Sequence, residues 1–380
     1  MESNVRQGPL AGLKVVELNA IGPVPMAAGL LADLGADVLR IEAPGPGFDA
    51  VDVEKAVHLR GRSSARVNLR DPESASVVRD LVARADVLLE GFRPGVLEKL
   101  GFAPDDLLAD NPALVIGRMT GWGQDGPLAQ RAGHDMNYIA VAGPLRHFAR
   151  QGERPVPPVN LVADFGGGAM FLLLGVLSAL FERSRSGRGQ VIDAAMVDGS
   201  AYLMMLVYSL AAQGLWNPDA PGTNLLDTGA PFYDVYRCAD GEFLSVGCLE
   251  PKFYSEFLEV LGLDDTELPN QFDVARWPEL RTAFTDIIAT RTRDAWDDAF
   301  RGTDACTFGV RSMVEASEDP HLKARGTFLP DEPLQPAPAP RFSRTPGQAV
   351  PRSEFGHGAA ALEAWGVPAE LAERTALPHS

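Results

Sequence analysis

Short apolar runs alternate with amphipathic stretches over the first third of the chain. The runs at 13–18, 37–41, 85–89 and 114–119 predict strands, and the spacing of apolar residues at 26–34 and 71–84 predicts helices between them. Strands and helices in this alternation predict a parallel, Rossmann-like sheet. Because ligands bind such sheets beyond the carboxyl ends of the strands, we expect the site near 42–44, 90–95 and 121–123.

The pattern changes after about residue 222. Two short strands are predicted at 233–237 and 243–246, and helices follow at 251–261, 277–291 and 293–301. This indicates an α/β chain with a large Rossmann-like domain at 1–200 and a smaller α+β domain at 223–327. A linker helix at 201–222, most of it in the long apolar helix predicted across 199–215, joins the two domains. Seven prolines between 328 and 352 predict an extended return, and 328–380 is expected to pack on the large domain.

An uncharged apolar run at 169–180 follows three consecutive glycines, Gly166 to Gly168. Twelve residues are too few to span a bilayer, so the run predicts a core helix. The glycines would let a ligand approach the chain closely, and the first N–H groups of the helix are available to an anion. Asp164 stands just before the glycines, either as a helix N-cap or as a functional carboxylate.

Composition narrows the class of protein. A net charge of −17 and a pI of about 4.8 argue against nucleic acid as a partner. Three scattered cysteines, an N-terminus without a signal-peptide pattern and no long membrane span indicate a cytoplasmic protein without a membrane partner. No His, Cys or Glu spacing supports a metal site.

Of two familiar functional motifs, one is excluded by its context and the other is absent from the sequence. The stretch from Gly121 to Gly126 matches a dinucleotide-binding pattern, but Pro127 follows and no amphipathic helix opens there. A structural glycine turn near the ligand is the better interpretation. The chain contains no G-x-S-x-G sequence of a serine hydrolase.

Four polar residues remain as candidates for chemistry. His134 lies in a polar cluster with Asp135, and Asn160 precedes Asp164 by four residues. Glu250 stands before Pro251 at a predicted helix start. Each also has a structural interpretation: a core histidine, a turn residue or a helix cap. The residues alone therefore identify only a carboxylate and an imidazole that could form an acid/base pair.

Several long motifs in order carry a resemblance to a known family. The segments are 8–17, 133–138, 157–168, 189–199, 229–234 and the Pro-rich stretch ending at Pro346. Through them the chain resembles the α-methylacyl-CoA racemases of the family III CoA-transferase superfamily (CaiB/BaiF type). The resemblance implies a Rossmann-like domain with a smaller domain, an interlocked homodimer, and no cofactor, since CoA is part of the substrate.

The resemblance also implies a reaction, the interconversion of (R)- and (S)-2-methylacyl-CoA through an enolate, with one base on each face of the α-carbon. His134, paired with Glu250, is one base, and Asp164, supported by Asn160, is the other. N–H groups beside Asp164 are expected to stabilise the enolate oxygen. CoA is expected to bind at Val67, Asn68, Leu69, Arg70, Gly91, Phe92, Arg93, Lys99, Gly133, Asp135, Met136, Asn137 and Tyr138.

One departure concerns the adenine. Ala43 stands where the family commonly has an arginine stacked on that ring, so the contact is expected to weaken or to shift to Arg60 or Arg62.

Two alternatives have different requirements. A family III CoA transferase would use Asp164 as a nucleophile and would need neither His134 nor Glu250. A non-catalytic acyl-CoA-binding protein would bind the ester without exchanging its α-proton.

Overall fold

The computed structural model describes residues 7–45, 55–330 and 333–378. Its strands are β1 Lys14–Leu18, β2 Asp37–Glu42, β3 Arg62–Arg66, β4 Val87–Glu90, β5 Val115–Thr120, β6 Val191–Ala195, β7 Tyr233–Arg237, β8 Phe243–Gly247 and β9 Thr307–Gly309. Its α-helices are α1 Pro23–Asp33, α2 Pro72–Ala83, α3 Val96–Lys99, α4 Pro104–Asp110, α5 Asp135–Ala142, α6 Met170–Ser186, α7 Met196–Leu203, α8 Met205–Ala212, α9 Pro251–Leu261, α10 Trp277–Ile288, α11 Arg293–Phe300, α12 Met313–Glu318, α13 Pro320–Arg325, α14 Ala359–Ala364 and α15 Ala369–Thr375.

Six parallel strands form the main sheet in the order β3-β2-β1-β4-β5-β6. The predicted Rossmann-like sheet is thereby confirmed, and β1 and β4 flank the point where the strand order reverses. The sequence pattern did not reveal β3, because its residues are Arg-Ser-Ser-Ala-Arg. This polar strand is buried because the Arg62 guanidinium donates to Glu17 Oε2 at 2.7 Å inside the sheet.

The chain divides into two compact units. The first contains residues 1–142, 159–203 and 325–380, and the second contains 143–158 and 204–324. The predicted domain boundaries lay at 200, 222 and 327. The observed units change at 203 and 325, and the second unit also takes residues 143–158, which the sequence placed in the large domain. Within the first unit, α14 packs on β3, and Leu362 is fully buried in the core below the sheet.

The second unit has a three-stranded antiparallel sheet, β7-β8-β9, with helices over it. Its core is aromatic: Phe257 and Phe284 contact each other edge-on at 5.0 Å, and both side chains are fully buried. The strand β9 has three residues, too short for its pattern to stand out in the sequence.

The predicted core helix at 169–180 is longer and less buried than expected. A π-helical segment, Leu161–Ala169, continues directly into α6, so the helical stretch has 26 residues. By length and composition alone this stretch is long and apolar enough to cross a membrane. In the structure, α6 packs against strands β5 and β6 of the main sheet. Its outer face exposes Leu174, Leu177 and Phe181. The cytoplasmic location stays a prediction.

The single helix predicted across 199–215 is wrong. The α7 helix ends at Leu203 and α8 begins at Met205, with Met204 as its N-cap. No residue of α8 is buried, and Leu206 and Tyr208 are more than half exposed. An apolar pattern gives no sign of the break at Met204, which is why the sequence predicted one continuous helix here.

Candidate active site

A cavity of about 350 Å³ lies at the carboxyl ends of β1, β4 and β5 in the first unit. This is the edge of the sheet at which the sequence predicted the site. Among the predicted site residues, the cavity wall contains Gly91, Phe92, Arg93, Gly133, His134, Tyr138 and Asp164. The imidazole and the carboxylate, 30 residues apart in the chain, therefore face one space.

The backbone around His134 is fixed by the start of α5. The His134 N–H donates to Asn137 Oδ1 at 3.0 Å, and the His134 carbonyl accepts from the N–H of Asn137 at 2.8 Å. This reciprocal pair resembles a capping box and holds His134 as the residue that precedes the helix. Asn137 and Met136 are exposed and do not line the cavity, so the predicted direct role of both in binding CoA has no support from the cavity.

Tyr138 forms an aromatic wall of the cavity with Trp122. The two rings meet edge-on with centroids 4.8 Å apart, and the Tyr138 hydroxyl donates to the Gly133 carbonyl. Burial raises the pKa of Tyr138 to about 12, so the hydroxyl stays protonated. A side chain at Gly121 would overlap this ring. The stretch from Gly121 to Gly126 is therefore a turn shaped around an aromatic residue, as the sequence indicated, and no helix begins in it.

Asp164 lies in the first turn of the π-helical segment, which begins at Leu161. The Asn160 side-chain amide donates to Asp164 Oδ2 at 3.1 Å, which places the predicted supporting residue beside the carboxylate. Burial raises the pKa of the Asp164 carboxyl above its ordinary value, and the nearby charge of Asp135 raises it further. The hydrogen bond from Asn160 and the imidazole of His134 act in the opposite direction, so the balance favours a carboxyl that holds its proton to higher pH.

Asp135, which the resemblance assigned to CoA, lines neither cavity and has a structural role that the sequence did not reveal. Its Oδ2 accepts hydrogen bonds from the N–H groups of Ala163 at 2.7 Å and Asp164 at 2.9 Å, and its side chain is buried. Asp135 therefore caps the helix that carries Asp164, and the interpretation of Asp164 itself as the N-cap is wrong. The expectation that these N–H groups stabilise an enolate is also wrong, because Asp135 occupies them.

The three glycines after Asp164 serve helix packing. A Cβ on Gly167 would lie 2.6 Å from the Ser200 nitrogen of α7, and one on Gly199 of α7 would lie 1.9 Å from the Gly167 carbonyl oxygen. The backbones of the π-helical segment and α7 thus approach as closely as only glycine permits. The predicted close approach is to another helix and not to a ligand.

A second cavity of about 520 Å³ adjoins the first, and Phe92 lines both. It is lined by Val67, Asn68, Leu69 and Arg70, which the resemblance assigned to CoA, and by Ala43. Lys99 is exposed and does not line it, although Val96 and Leu100 of the same turn do.

The predicted substitutes for an arginine at position 43 are otherwise engaged. Arg62 is buried and bound to Glu17, and Arg60 donates to both Asp33 oxygens, at 3.0 and 2.6 Å. Neither guanidinium lines the second cavity. The expected shift of the adenine contact to Arg60 or Arg62 is therefore wrong.

Glu90 holds the loop between the two cavities. Its buried carboxylate accepts from the Phe92 N–H at 2.6 Å and from Arg118 Nε at 2.7 Å, and Arg118 also bonds Glu98 at 2.9 Å. Burial raises the pKa of Glu90, while these donors favour its charged form. The network fixes the backbone from which Phe92 and Arg93 reach the cavities.

Glu250 lies in the second unit as the N-cap of α9. Its carbonyl accepts from the N–H groups of Phe253 and Tyr254, each at 3.0 Å, whereas its side chain is exposed and makes no capping hydrogen bond. The buried Gln271 amide donates to the Leu249 carbonyl at 3.0 Å and supports the preceding loop. The carboxylate is thus presented on a fixed backbone, and its pairing with His134 stays a prediction.

Comparison with known proteins gives consistent matches over nearly the whole chain. Residues 10–354 match CoA-transferase family III. The chain is 47% identical over 350 residues to alpha-methylacyl-CoA racemase of Mus musculus, covering 91% of this chain and 89% of that protein. It is 45% identical over 340 residues to alpha-methylacyl-CoA racemase of Homo sapiens, covering 89% and 87%.

More distant matches include a transferase and a solved structure. Succinyl-CoA–D-citramalate CoA-transferase of Chloroflexus aurantiacus is 31% identical over 374 residues, covering 91% of each chain. The crystal structure of a CAIB/BAIF family protein from Brucella suis aligns with a TM-score of 0.77 at 27% identity, covering 96% of this chain and 100% of that one.

Proposed function

We propose that this chain, which belongs to CoA-transferase family III, is a racemase that interconverts (R)- and (S)-2-methylacyl-CoA thioesters. The observation that carries the proposal is the pair of unlike proton carriers, His134 and Asp164, on the wall of one cavity. Racemisation of a carbon acid needs a base on each face of the α-carbon, and an imidazole and a carboxyl from different segments supply two. The identity of 45–47% to proteins named alpha-methylacyl-CoA racemase supports the same reaction.

The proton transfers follow from the two groups. In one direction the His134 imidazole takes the α-proton of the (S)-ester, an enolate forms, and the protonated Asp164 carboxyl returns a proton to the opposite face. In the other direction the Asp164 carboxylate takes the proton of the (R)-ester and the His134 imidazolium returns one. The raised pKa of Asp164 suits both steps, because it extends the protonated form to higher pH and makes the carboxylate a stronger base. Asn160 orients that carboxylate through its side-chain amide.

The enolate oxygen needs hydrogen-bond donors other than those held by Asp135. We assign this role to the first N–H group of α5, that of Asp135, which directly follows the cavity-lining His134. First-turn N–H groups have no partner within their own helix and carry its positive end. Donors of this kind contribute about 3 kcal/mol to stabilising an oxyanion.

The adjoining cavities suggest how the CoA ester lies. The thioester occupies the first cavity, beside His134 and Asp164, and the CoA moiety continues past Phe92 into the second. Arg93 of the first cavity, on the same loop as Phe92, and Arg70 of the second are assigned to its phosphates. With Ala43 on that wall, no guanidinium is offered to the adenine at this position.

A homodimer is proposed from the exposed apolar face of α6. Leu174 and Phe181 are more than 60% exposed, and Leu177 lies on the same face at 40%. Apolar residues three to four apart on one helical face form a continuous stripe, which a second copy of the chain would cover.

The alternative is a CoA transferase, and the match to the Chloroflexus aurantiacus transferase keeps it open. In that reaction the ionised Asp164 carboxylate attacks the thioester and CoA leaves as its thiolate, so that an acyl anhydride forms on the enzyme. A base such as His134 has no role in this reaction, so its position on the same cavity wall as Asp164 favours the racemase.

The experiment that tests the proposal separates the two reactions. A single enantiomer of a 2-methylacyl-CoA is incubated with the protein in the absence of any free acid, and the configuration of the ester is followed by chiral chromatography. Inversion towards an equal mixture is the expected result. Retention of configuration, together with CoA transfer once a carboxylic acid is added, would overturn the proposal and establish the transferase.

A further inference from the structure

Arg131 is an exposed arginine on the wall of the first cavity, three residues before His134. Within the described part of the chain, its guanidinium forms no ion pair and no hydrogen bond, whereas Arg118 of β5 binds both Glu90 and Glu98. A guanidinium offers five N–H donors. In a chain with 51 acidic and 34 basic residues, this unpaired cation is available to an anionic group of a ligand.

The backbone that carries Arg131 is fixed by two neighbouring contacts. The Arg131 N–H donates to the Leu128 carbonyl at 2.8 Å, which closes a turn, and the Gln130 side-chain amide donates to the Pro94 carbonyl at 3.1 Å. The loop of Arg131 is thereby held against the loop that carries Arg93. The exposed side chain therefore starts from a fixed point on the cavity wall.

The phosphates of CoA have other partners along their proposed path. That path leaves the first cavity past Phe92, beside Arg93, and enters the second cavity, which Arg70 lines. Of these two cavities, Arg131 lines only the first. Because the first cavity also contains the thioester, the part of the substrate left for Arg131 to contact is the acyl group.

A plain alkyl chain is a poor neighbour for an unpaired guanidinium. Apolar atoms that cover its N–H groups remove their water and offer no hydrogen bond in return. A carboxylate, by contrast, accepts two parallel N–H bonds from the guanidinium fork. The cavity also contains apolar side chains, Met119 and Met196 among them, which suit the methylenes that join the α-carbon to such a group.

We propose that Arg131 is a specificity-determining residue that selects 2-methylacyl-CoA thioesters whose acyl chain ends in a carboxylate. The inference rests on the proposed function and names a class of substrate for it, the CoA monothioesters of 2-methyl dicarboxylic acids. Arg131 binds the distal carboxylate and takes no part in the proton transfers of His134 and Asp164. Because the chain as a whole is strongly acidic, this local cation also offsets the repulsion that a second anionic group meets.

The test compares a carboxylate with an uncharged group of the same shape. The two substrates are (S)-2-methylhexanedioyl-CoA, with the thioester beside the methyl-bearing carbon, and the same ester with a carboxamide in place of its free carboxylate. Each is supplied in D₂O, and kcat/KM is measured from the initial rate of α-deuteration by NMR. We expect wild type to prefer the carboxylate about tenfold or more, as for the loss of a hydrogen bond to a charged group. The corresponding pair of octanedioyl esters covers a longer reach.

Substitution separates the charge of Arg131 from its bulk. Arg131→Gln keeps a long polar side chain without the charge, and the ratio of kcat/KM for the carboxylate ester to that for the carboxamide ester should fall by about tenfold or more, to near one. Arg131→Lys keeps the charge without the planar fork and should restore part of the ratio. Arg188→Gln is the matched control, because Arg188 is exposed and lines neither cavity, and it should leave the ratio unchanged.

The outcomes are distinct. A ratio near one in wild type for both chain lengths would overturn the inference while leaving racemisation intact. Equal losses for the two esters in Arg131→Gln would also overturn it, because they would assign Arg131 to the phosphates of CoA. Failure of the proposed function would show instead as no α-deuteration of any ester. The dissociation constants of the two esters, measured by isothermal titration calorimetry for wild type and Arg131→Gln, would then decide the role of Arg131 by the same ratio.

Discussion

Substitution of Asp135 gives the strongest stability prediction, because one buried oxygen accepts two backbone hydrogen bonds. Asp135→Ala would leave the N–H groups of Ala163 and Asp164 without their acceptor. Hydrogen bonds to a charged group contribute roughly 1.5–3 kcal/mol each, but two that share one oxygen are not additive. Loss of an ordinary N-cap costs about 0.5–2 kcal/mol. We expect a loss of about 3 kcal/mol for Asp135→Ala, above an ordinary cap because the site is buried.

The assay is urea unfolding at fixed protein concentration, since association affects the apparent stability. The matched control is Asp264→Ala, in which an exposed carboxylate loses two similar hydrogen bonds, to the Thr266 N–H at 2.9 Å and hydroxyl at 2.7 Å. This control should lose much less stability and no activity. An Asp135→Ala protein within about 0.5 kcal/mol of wild type would refute the capping role.

Asp135→Asn separates the charge of this residue from its shape. The amide oxygen still accepts from the two N–H groups, so the loss of stability should be smaller than for Asp135→Ala. The negative charge that helps to raise the pKa of Asp164 is gone, and the acidic limb of kcat/KM should move to lower pH. An unchanged limb would mean that the charge of Asp135 does not act on Asp164.

Three further predictions concern other residues. The pKa of the Asp164 carboxyl is raised in the folded chain. The contribution of this carboxyl to the stability of the fold is therefore fully present below the ordinary pKa of an aspartic acid, about 3.9, and is lost as the pH rises through the folded-state pKa. Asp164→Asn should therefore melt at a higher temperature than wild type at neutral pH and at the same temperature near pH 3; equal melting at neutral pH would contradict this. Glu90→Ala should lower the free energy of unfolding by about 3 kcal/mol, because the buried Arg118 keeps only Glu98 as an ion-pair partner. The same substitution should raise KM for CoA esters more than it lowers kcat, and an unchanged KM in steady-state kinetics would refute this. Phe181→Glu should convert the proposed dimer to a monomer in sedimentation velocity, whereas Glu363→Gln, on α14, should not; a dimeric Phe181→Glu would exclude this face as the interface.

Much of the large sheet was predictable because its strands are continuous apolar runs. Strands β1, β2, β4 and β5 were found within one or two residues of their observed ends. The polar β3 was not, because its burial depends on an ion pair with Glu17 on another strand. The antiparallel β7 and β8 followed from alternation around a turn, whereas β9 is too short to show a period.

For the site, the sequence identified the reactive groups better than their supports. His134 and Asp164, expected from motifs, line one cavity, and Asn160 donates a hydrogen bond to Asp164; their catalytic roles stay a proposal. The role of Asp135 depends on a contact across 28 residues, which no local pattern encodes. The apolar run after Asp164 predicted a buried helix, but its exposed face shows that hydrophobicity alone does not distinguish a buried face from an exposed one.

The measurement that tests the central claim most directly is α-proton exchange, followed by NMR in D₂O. (R)- and (S)-2-methylacyl-CoA are supplied separately, without an acceptor acid, to wild type, His134→Ala and Asp164→Ala. The two-base account predicts deuterium incorporation with inversion from either enantiomer in wild type, and inversion slowed by about 10²-fold or more in each variant. Wild-type protein that binds the esters but incorporates no deuterium, or inversion that survives either substitution, would contradict it.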